Sequence, residues 1–464
     1  MPGMPGYSTQ HRSETSVTVM LGAWADRRCA ASRTFGVAGI VFSVCILLVT
    51  LFAGPVEAKP RSILPADFLW GVASSGFQSE GSSPDSNWTR YIKAGKTDDD
   101  IGTSVDFRNR YPDDIARAKA LGTKVYRIGI EWARIEKQPG QLDARELNYY
   151  DAVVKTIVAA GMRPMITLDH WVYPGWIASR GGWADAGTLR SWLDYNRLIV
   201  DRYAKYHPLW ITINEPSAYV MKEVQFGGLD ASDATLMFDR LVQAHRAIYK
   251  HIHRKDPGAQ VSSNVAYIPT IEPALDQLFL DRVRDRLDYV GLDYYYSIAP
   301  TDLTAAYAAT GEFWKASVAA DGLFYALRDM GRRFPGKPLY IVEAGMATKN
   351  GQPRSDGYRR AAHLRDLVYW MQKARQSGVP VMGMNYWSLT DNYEWGSYTP
   401  RFGLYTVDVK TDPTLARRPT PAVAALTKII ADNGVSRSYR PSRPAAWCSL
   451  AAAPASCLEP APRP

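Results

Sequence analysis

Cysteine is almost absent, with four residues in 464. Cys29 and Cys45 fall in an N-terminal stretch that reads as a leader, which leaves Cys448 and Cys457. These stand close together in a tail rich in proline and alanine (436–464), a spacing that could close a small disulfide loop in an oxidising compartment. No group of Cys and His has metal-ligand spacing, so neither a structural nor a catalytic metal is expected. A glycine-rich phosphate turn is also missing. After the first strand-like run the chain reads Ser75-Gly76-Phe77-Gln78 rather than G-x-G-x-x-G, which speaks against an open dinucleotide-binding sheet. Basic runs are lacking too. The net charge is +9, but the 55 Lys and Arg are interspersed with 46 Asp and Glu, so nucleic acid is not an expected partner.

The longest apolar run lies near the start. Residues 1–34 are polar, and Phe35–Ala53 then gives about nineteen apolar or small residues, followed by Val56-Glu57-Ala58. Residues 1–58 therefore read as a signal peptide, with an uncleaved signal anchor as the alternative, since the run is also long enough to span a bilayer. Either outcome places the body outside the cytoplasm, secreted or held at the cell envelope. Membrane contact is expected only through that segment.

Between residues 60 and 435 short apolar or β-branched runs alternate with longer helical patterns. The strand-like runs are Phe68–Ser74, Lys124–Ile130, Arg163–Leu168, Leu209–Ile213, Gln260–Ala266, Tyr289–Tyr294, Pro338–Val342 and Val381–Trp387. Helical spacing marks Arg110–Leu121, Ala144–Ala160 and Thr188–Tyr206, and Gly122 and Gly161 stop two of these before the next strand. Eight βα units in roughly 375 residues predict an α/β fold, a single-domain (β/α)8 TIM barrel.

Working residues of such barrels lie at the C-terminal ends of the strands. Those ends read Gln78 and Glu80, Arg127 and Glu131, Asp169 and His170, Asn214 and Glu215, Asn264, Asp293 to Tyr295, Glu343, then Trp387, Asp391, Glu394 and Trp395. Any one of these is an ordinary strand terminator. A ring of carboxylates, amides and indoles on one face suits a hydroxyl-rich substrate, as do the 27 Tyr and 14 Trp, whose flat rings match the C–H face of a sugar. Glu215 after strand four and Glu343 after strand seven form the pair that glycoside hydrolysis needs, one protonated and one ionised. Arg127, at the end of strand two, is expected beside Glu343, keeping it charged. A structural ion pair is the alternative for either Glu alone, and it weakens when both fall on the right strands.

Five motifs carry a family resemblance over about residues 65–425. They are Phe68–Gly81, Tyr126-Arg127 through Ile135, Thr167–Pro174, Asn214-Glu215-Pro216, and the longest, Asn385–Trp395 through Leu404. In this order they make the chain similar to glycoside hydrolase family one, the β-glucosidase family. The resemblance implies a cofactor-free retaining β-glycosidase with Glu215 as acid/base and Glu343 as nucleophile. It implies that Gln78, His170, Asn214 and Glu394 bind sugar hydroxyls and that Trp387 floors the subsite. Trp395 would bond or pack beside it, and Tyr295 would orient Glu343. The implied partner is a small glycoside or oligosaccharide. Because Glu394 is a carboxylate, an unphosphorylated sugar is expected.

Four departures from the family pattern stand out. Ala344 follows the nucleophile where Asn is usual, and Asp293 stands where Asn precedes two tyrosines. Val172 replaces a polar residue after the third-strand His, and Trp395–Tyr398 is one residue short. The stretch between Asn264 and Asp288 is short as well, which predicts a more open cleft. Two other readings remain at this point: a barrel endoglycanase of a different family, and a non-catalytic sugar-binding barrel. Transfer to an acceptor other than water uses the same intermediate.

Overall fold

The computed structural model describes residues 64–267, 272–296, 304–308, 310–443 and 445. The expected leader over 1–58 and the Cys448 and Cys457 pair lie outside the described residues. Eight parallel strands close into a barrel in sequence order: β1 Leu69–Ala73, β2 Val125–Gly129, β3 Arg163–Thr167, β4 Leu209–Asn214, β5 Gln260–Ala266, β6 Val290–Tyr294, β7 Leu339–Ala344 and β8 Val381–Trp387. β8 returns to β1 with Leu69 opposite Gly383 and Ala73 opposite Trp387, so no edge is left open. Each strand-like run of the sequence forms one barrel strand, which is the (β/α)8 architecture expected. Among the described residues no helix is long and apolar enough to cross a membrane.

The helices that follow the strands are α1 Phe107–Ala120, α2 Ala144–Ala159, α3 Thr188–Tyr203, α4 Ala234–Lys255, α5 Glu272–Leu278, α6 Gly322–Arg333, α7 Arg360–Gln376 and α8 Pro421–Asp432. α2 illustrates why they form. Asp143 caps its first turn by accepting the Arg145 N–H at 2.9 Å. Leu147, Tyr150, Val153, Val154 and Ile157 then recur on one face and bury it against the barrel. Gly161 ends it at φ +81°, a conformation that glycine adopts without a Cβ clash. The β5–β6 crossover is the leanest, just α5 and a 3-10 turn over Leu280–Arg286, in keeping with the short segment seen in the sequence.

The barrel interior changes character along its axis. Val125, Met165, Leu209, Ile211, Tyr289, Tyr340 and Val342 pack a dry layer at the N-terminal end. Above it Asn385 donates to the Val342 carbonyl and accepts from the Tyr340 hydroxyl at 2.8 Å, and the amides and carboxyls of the site follow. Gly71 makes room for that layer, since a Cβ there would lie 2.1 Å from Asn385 Oδ1. Register shifts interrupt β4–β5 between Ile211 and Asn214, and β6–β7 between Leu292 and Asp293. Such irregularities re-aim side chains. Here they bring Asn214 opposite Asn264 and Asp293 opposite Glu343.

Beyond α8 the chain stays against the barrel helices. Tyr439 OH donates to Asp366 on α7 at 2.5 Å, and Ser442 donates to the same carboxylate through its N–H and its hydroxyl. Before α8, Arg417 clamps the loop onto α1. Its guanidinium takes both oxygens of Asp114 at 3.0 and 2.8 Å and the Val105 carbonyl at 2.6 Å. The two side chains are 2% and 0% exposed, and Asp114 has Arg117 as a second, more distant cation at 3.6 Å. Arg417→Ala should therefore cost up to about 3 kcal/mol, by leaving buried Asp114 with the more distant Arg117 alone. Urea unfolding midpoints of the variant and the parent protein check this.

Candidate active site

Every site residue expected from the sequence reaches the C-terminal mouth of the barrel, and the arrangement is organised around one guanidinium. Arg127 on β2 is fully buried. Its Nε donates to Thr167 Oγ1 at 2.8 Å and its Nη2 to Asn214 Oδ1 at 2.6 Å, while Nη1 makes a very short contact with Glu343 Oε1. The other Glu343 oxygen accepts the Tyr295 hydroxyl at 2.6 Å. Burial and the adjacent Glu343 push the Tyr295 phenol well up, so it keeps the proton it donates. Glu343 thus has a cation on one oxygen and a phenol on the other, the surroundings of a carboxylate.

The same guanidinium settles which way Asn214 points. Asn214 Oδ1 accepts from Arg127 and from Asn264 Nδ2 at 2.7 Å, so it is the amide nitrogen that turns toward the cavity. There Nδ2 faces His170 Nε2 at 3.3 Å and Glu215 Oε2 at 3.5 Å. Burial, then Arg127, pushes the His170 imidazole well below its usual range, which makes it a neutral hydrogen-bonding group.

Glu215 lies just past β4, at the start of a helix over Pro216–Phe226, with φ +38°. Positive φ is uncommon for a residue with a Cβ. Pro216 fits the first helical position, where its missing N–H costs nothing. Glu215 is 7% exposed, and its pKa is pushed up to about 8, first by burial and then by repulsion from Glu343. Carboxyl oxygens of Glu215, Asp293 and Glu343 lie within 4.8 Å of one another. Among the described residues this is the group of acidic or imidazole side chains closest to a cation-binding arrangement, and the guanidinium of Arg127 already stands within it.

Across the mouth, Glu394 accepts Trp387 Nε1 at 2.7 Å and Gln78 Nε2 at 3.1 Å. Burial pushes its pKa up to about 8 against the pull of those donors. Ser75 Oγ donates to Gln78 Oε1 at 2.6 Å, fixing that amide in turn. The Trp387 ring lies nearly parallel to His170, at 24° and 6.0 Å. Trp395 packs edge-on against Trp171 at 5.8 Å and Phe313 at 5.0 Å. A cavity lined by Phe77, Gln78, Trp88, His170, Trp171, Val172, Tyr393 and Trp395 opens beside this wall.

Other polar strand ends serve as struts. Glu80 pairs with Arg134 at 2.5 Å and accepts the Tyr150 hydroxyl. Glu131 is buried behind Gly76. Asp169 accepts the Trp171 N–H at 2.9 Å and Trp192 Nε1 at 2.7 Å, which locks Trp171 at φ +69°. Asp391 ties down the last loop through Gly403 N, Thr406 Oγ1 and Val407 N. Sequence reasoning gave no role to Thr167, Phe313, Lys222 or Asn392, whose Oδ1 accepts Gln78 Nε2 at 3.1 Å. Lys222 is 4% exposed, with its ammonium 4.0 Å from the Trp395 ring centre. A lysine seven residues after Glu215, on a helix face otherwise expected to be buried, was the signal available for it.

The family model for glycosyl hydrolase family 1 matches this chain over residues 61–277 and 238–435. β-Glucosidase A of Thermotoga maritima is 26% identical over 435 residues, covering 76% of this chain and 95% of that protein. A chloroplast galactolipid galactosyltransferase of Arabidopsis thaliana is 29% identical over 73% of this chain, which spans 60% of that relative. The solved family 1 β-glucosidase of Thermotoga maritima superposes with a TM-score of 0.70 at 24% identity, covering 80% of this chain and 99% of that one. The same enzyme has been solved with deoxynojirimycin bound.

The raised Glu215 carboxyl makes a measurable claim. It should hold its proton below about pH 8 and lose it above. In carboxyl-labelled protein followed by carbon NMR, one glutamate resonance titrating near that pH should vanish in Glu215→Gln.

Proposed function

The chain belongs to glycosyl hydrolase family 1, and we propose that Glu215 is its general acid/base and Glu343 its nucleophile, acting on unphosphorylated β-glucosides or related β-glycosides. Its reaction class is that of the family, retaining hydrolysis of β-glycosidic bonds. The observation that carries the assignment is the separation of the two carboxyls. An oxygen of one lies within 4.8 Å of an oxygen of the other, in keeping with the ~5–5.5 Å carboxyl separation of retaining enzymes.

The roles follow from the surroundings. Glu215, protonated up to about pH 8, gives its proton to the leaving oxygen. Glu343 attacks the anomeric carbon from the opposite side, and the glycosyl-enzyme forms. Glu215, now a carboxylate, takes a proton from water as the water oxygen replaces Glu343 at that carbon. Asn214 Nδ2 is the atom turned toward the 2-hydroxyl, because Arg127 and Asn264 hold the amide oxygen. Gln78, His170 and Glu394 bind the remaining hydroxyls over the Trp387 floor, with Trp395 as a packing wall.

Sugar preference rests on Glu394. A buried carboxyl beside an indole N–H and an amide suits hydroxyl partners and supplies no counter-charge for a phosphate. Transfer to an acceptor other than water is a second reading, favoured by the galactosyltransferase among the relatives. Export through residues 1–58, by a cleaved signal or a retained anchor, completes the proposal, and it rests on the Phe35–Ala53 run. N-terminal sequencing of protein recovered outside the cytoplasm should begin after Ala58 if the segment is cleaved.

Glu343→Gly should lower turnover of activated aryl β-glycosides by about a thousandfold or more, in line with losses of essential nucleophiles. Added azide should restore part of the rate and give the α-glycosyl azide. Near-parental activity of the variant would sink the nucleophile assignment.

A further inference from the structure

Asp293 is the carboxyl of the site to which the family chemistry gives no task. It ends β6 opposite Glu343 on β7 and is 1% exposed. Charged and polar groups meet it from each neighbouring element. Asn264 faces it from β5, Glu215 from the end of β4, Glu343 from β7, Arg127 from β2 and Tyr295 from the chain two residues on. Asn264 Nδ2 donates to Oδ2. Oδ1 is buried and receives no N–H or O–H from any described residue. One oxygen each of Asp293, Glu215 and Glu343 lie within 4.8 Å of one another, which leaves the Glu215 carboxyl as a partner that a proton on Oδ1 could reach.

Carboxyls this close together and buried cannot all be ionised. The charge count says how many protons the cluster holds. Glu215, Asp293 and Glu343 share one guanidinium, and Arg127 is already committed to Glu343. A second anion in the cluster would be buried without a counter-charge. We propose that Asp293 works as a neutral carboxylic acid, keeping its proton on Oδ1 and donating it as a hydrogen bond to Glu215. Burial, then Glu343 and Glu215, pushes the Asp293 carboxyl well above the usual range, in the same sense.

This makes Asp293 a positioning residue that acts through Glu215, and it rests on the acid/base reading of Glu215. When the bond between the anomeric carbon and the leaving oxygen breaks, the Glu215 proton passes to that oxygen and Glu343 bonds the carbon. The new Glu215 carboxylate is then met by the Asp293 O–H. When water bonds the carbon and Glu343 departs, Glu215 takes the proton of that water. Asp293 keeps its own proton throughout. It does what an amide would do there, donating without adding charge.

The test compares pH profiles of kcat/KM on an aryl β-glycoside for the parent enzyme, Asp293→Asn, Asp293→Ala and Glu215→Gln. Asp293→Asn keeps an uncharged donor, so its alkaline limb should stay within about 0.3 unit of the parent. Asp293→Ala removes the donor from ionised Glu215 and should raise that limb by about one unit or more. A fall of one unit or more in Asp293→Asn would mean that Asp293 is an anion whose repulsion had been lifted, and would overturn the proposal. Unmoved limbs in both variants would overturn it as well. Infrared difference spectra give a readout independent of turnover and of any folding defect in the alanine variant. At neutral pH, Asp293→Asn should lose one protonated-carboxyl band, and retention of every such band would refute the neutral acid. An alkaline limb that survives in Glu215→Gln would instead refute the acid/base reading, and the infrared band would still decide the protonation of Asp293.

Discussion

The site depends on the Arg127 fork. One fully buried guanidinium holds Glu343, Asn214 and Thr167 at once, joining β2 to β3, β4 and β7 across the top of the barrel. A planar, permanently charged group suits this, because its donors diverge at fixed angles. Through Glu343 it balances the charge of the cluster. Through Asn214 it decides which face of an amide is offered to the cavity. Burying a cation is tolerable only where its donors are satisfied, and here each nitrogen has a partner.

Most of the fold was legible because barrel strands are buried on both faces and read as short apolar runs between helical patterns. The strand ends were legible for the same reason, since a polar residue directly after such a run stands out. What the sequence could not reveal was how those ends meet. Glu80, Glu131, Asp169 and Asp391 looked like equals of Glu215 and Glu343, yet they brace loops and neighbouring rings. Telling the two classes apart needs the register, and the register shifts before Asn214 and Asp293 carry no local sequence signal. Lys222 and Phe313 escaped because their contacts with Trp395 cross from one loop cluster to another. The chain from residue 436 on read as a proline- and alanine-rich tail, but its described part is tied to α7 through Asp366.

The departures from the family pattern also acquire physical content. Ala344 is wholly buried beside the nucleophile and pairs with Tyr294 across β6–β7, so a small side chain fits the strand there. Gly345 follows immediately, and a Cβ there would lie 2.1 Å from the Trp387 carbonyl. The ends of β7 and β8 therefore approach too closely for bulk at that position. Val172 faces the cavity as an apolar group beside Trp171, which makes that part of the rim more hydrophobic than a polar residue would. The changes cluster on the rim and around Asp293, and they leave the Glu215–Glu343 pair and its guanidinium in place.

Four carboxyls, those of Glu215, Asp293, Glu343 and Glu394, crowd a mouth with one guanidinium among them, and burial raises three of them. Such a set is stable at neutral pH when most of its members are protonated, and protonated carboxyls both donate and accept hydrogen bonds. That is the chemistry needed to hold sugar hydroxyls without displacing charge. The transition state of glycoside cleavage differs from the ground state mainly by positive charge at the anomeric carbon and ring oxygen. Of the four, Glu343 is the carboxyl that meets this charge directly, because it bonds the anomeric carbon as the leaving oxygen departs. The crowding that raises the acid/base therefore serves the other end of the same transition state, because it keeps a proton on Glu215 for the leaving oxygen as negative charge builds there.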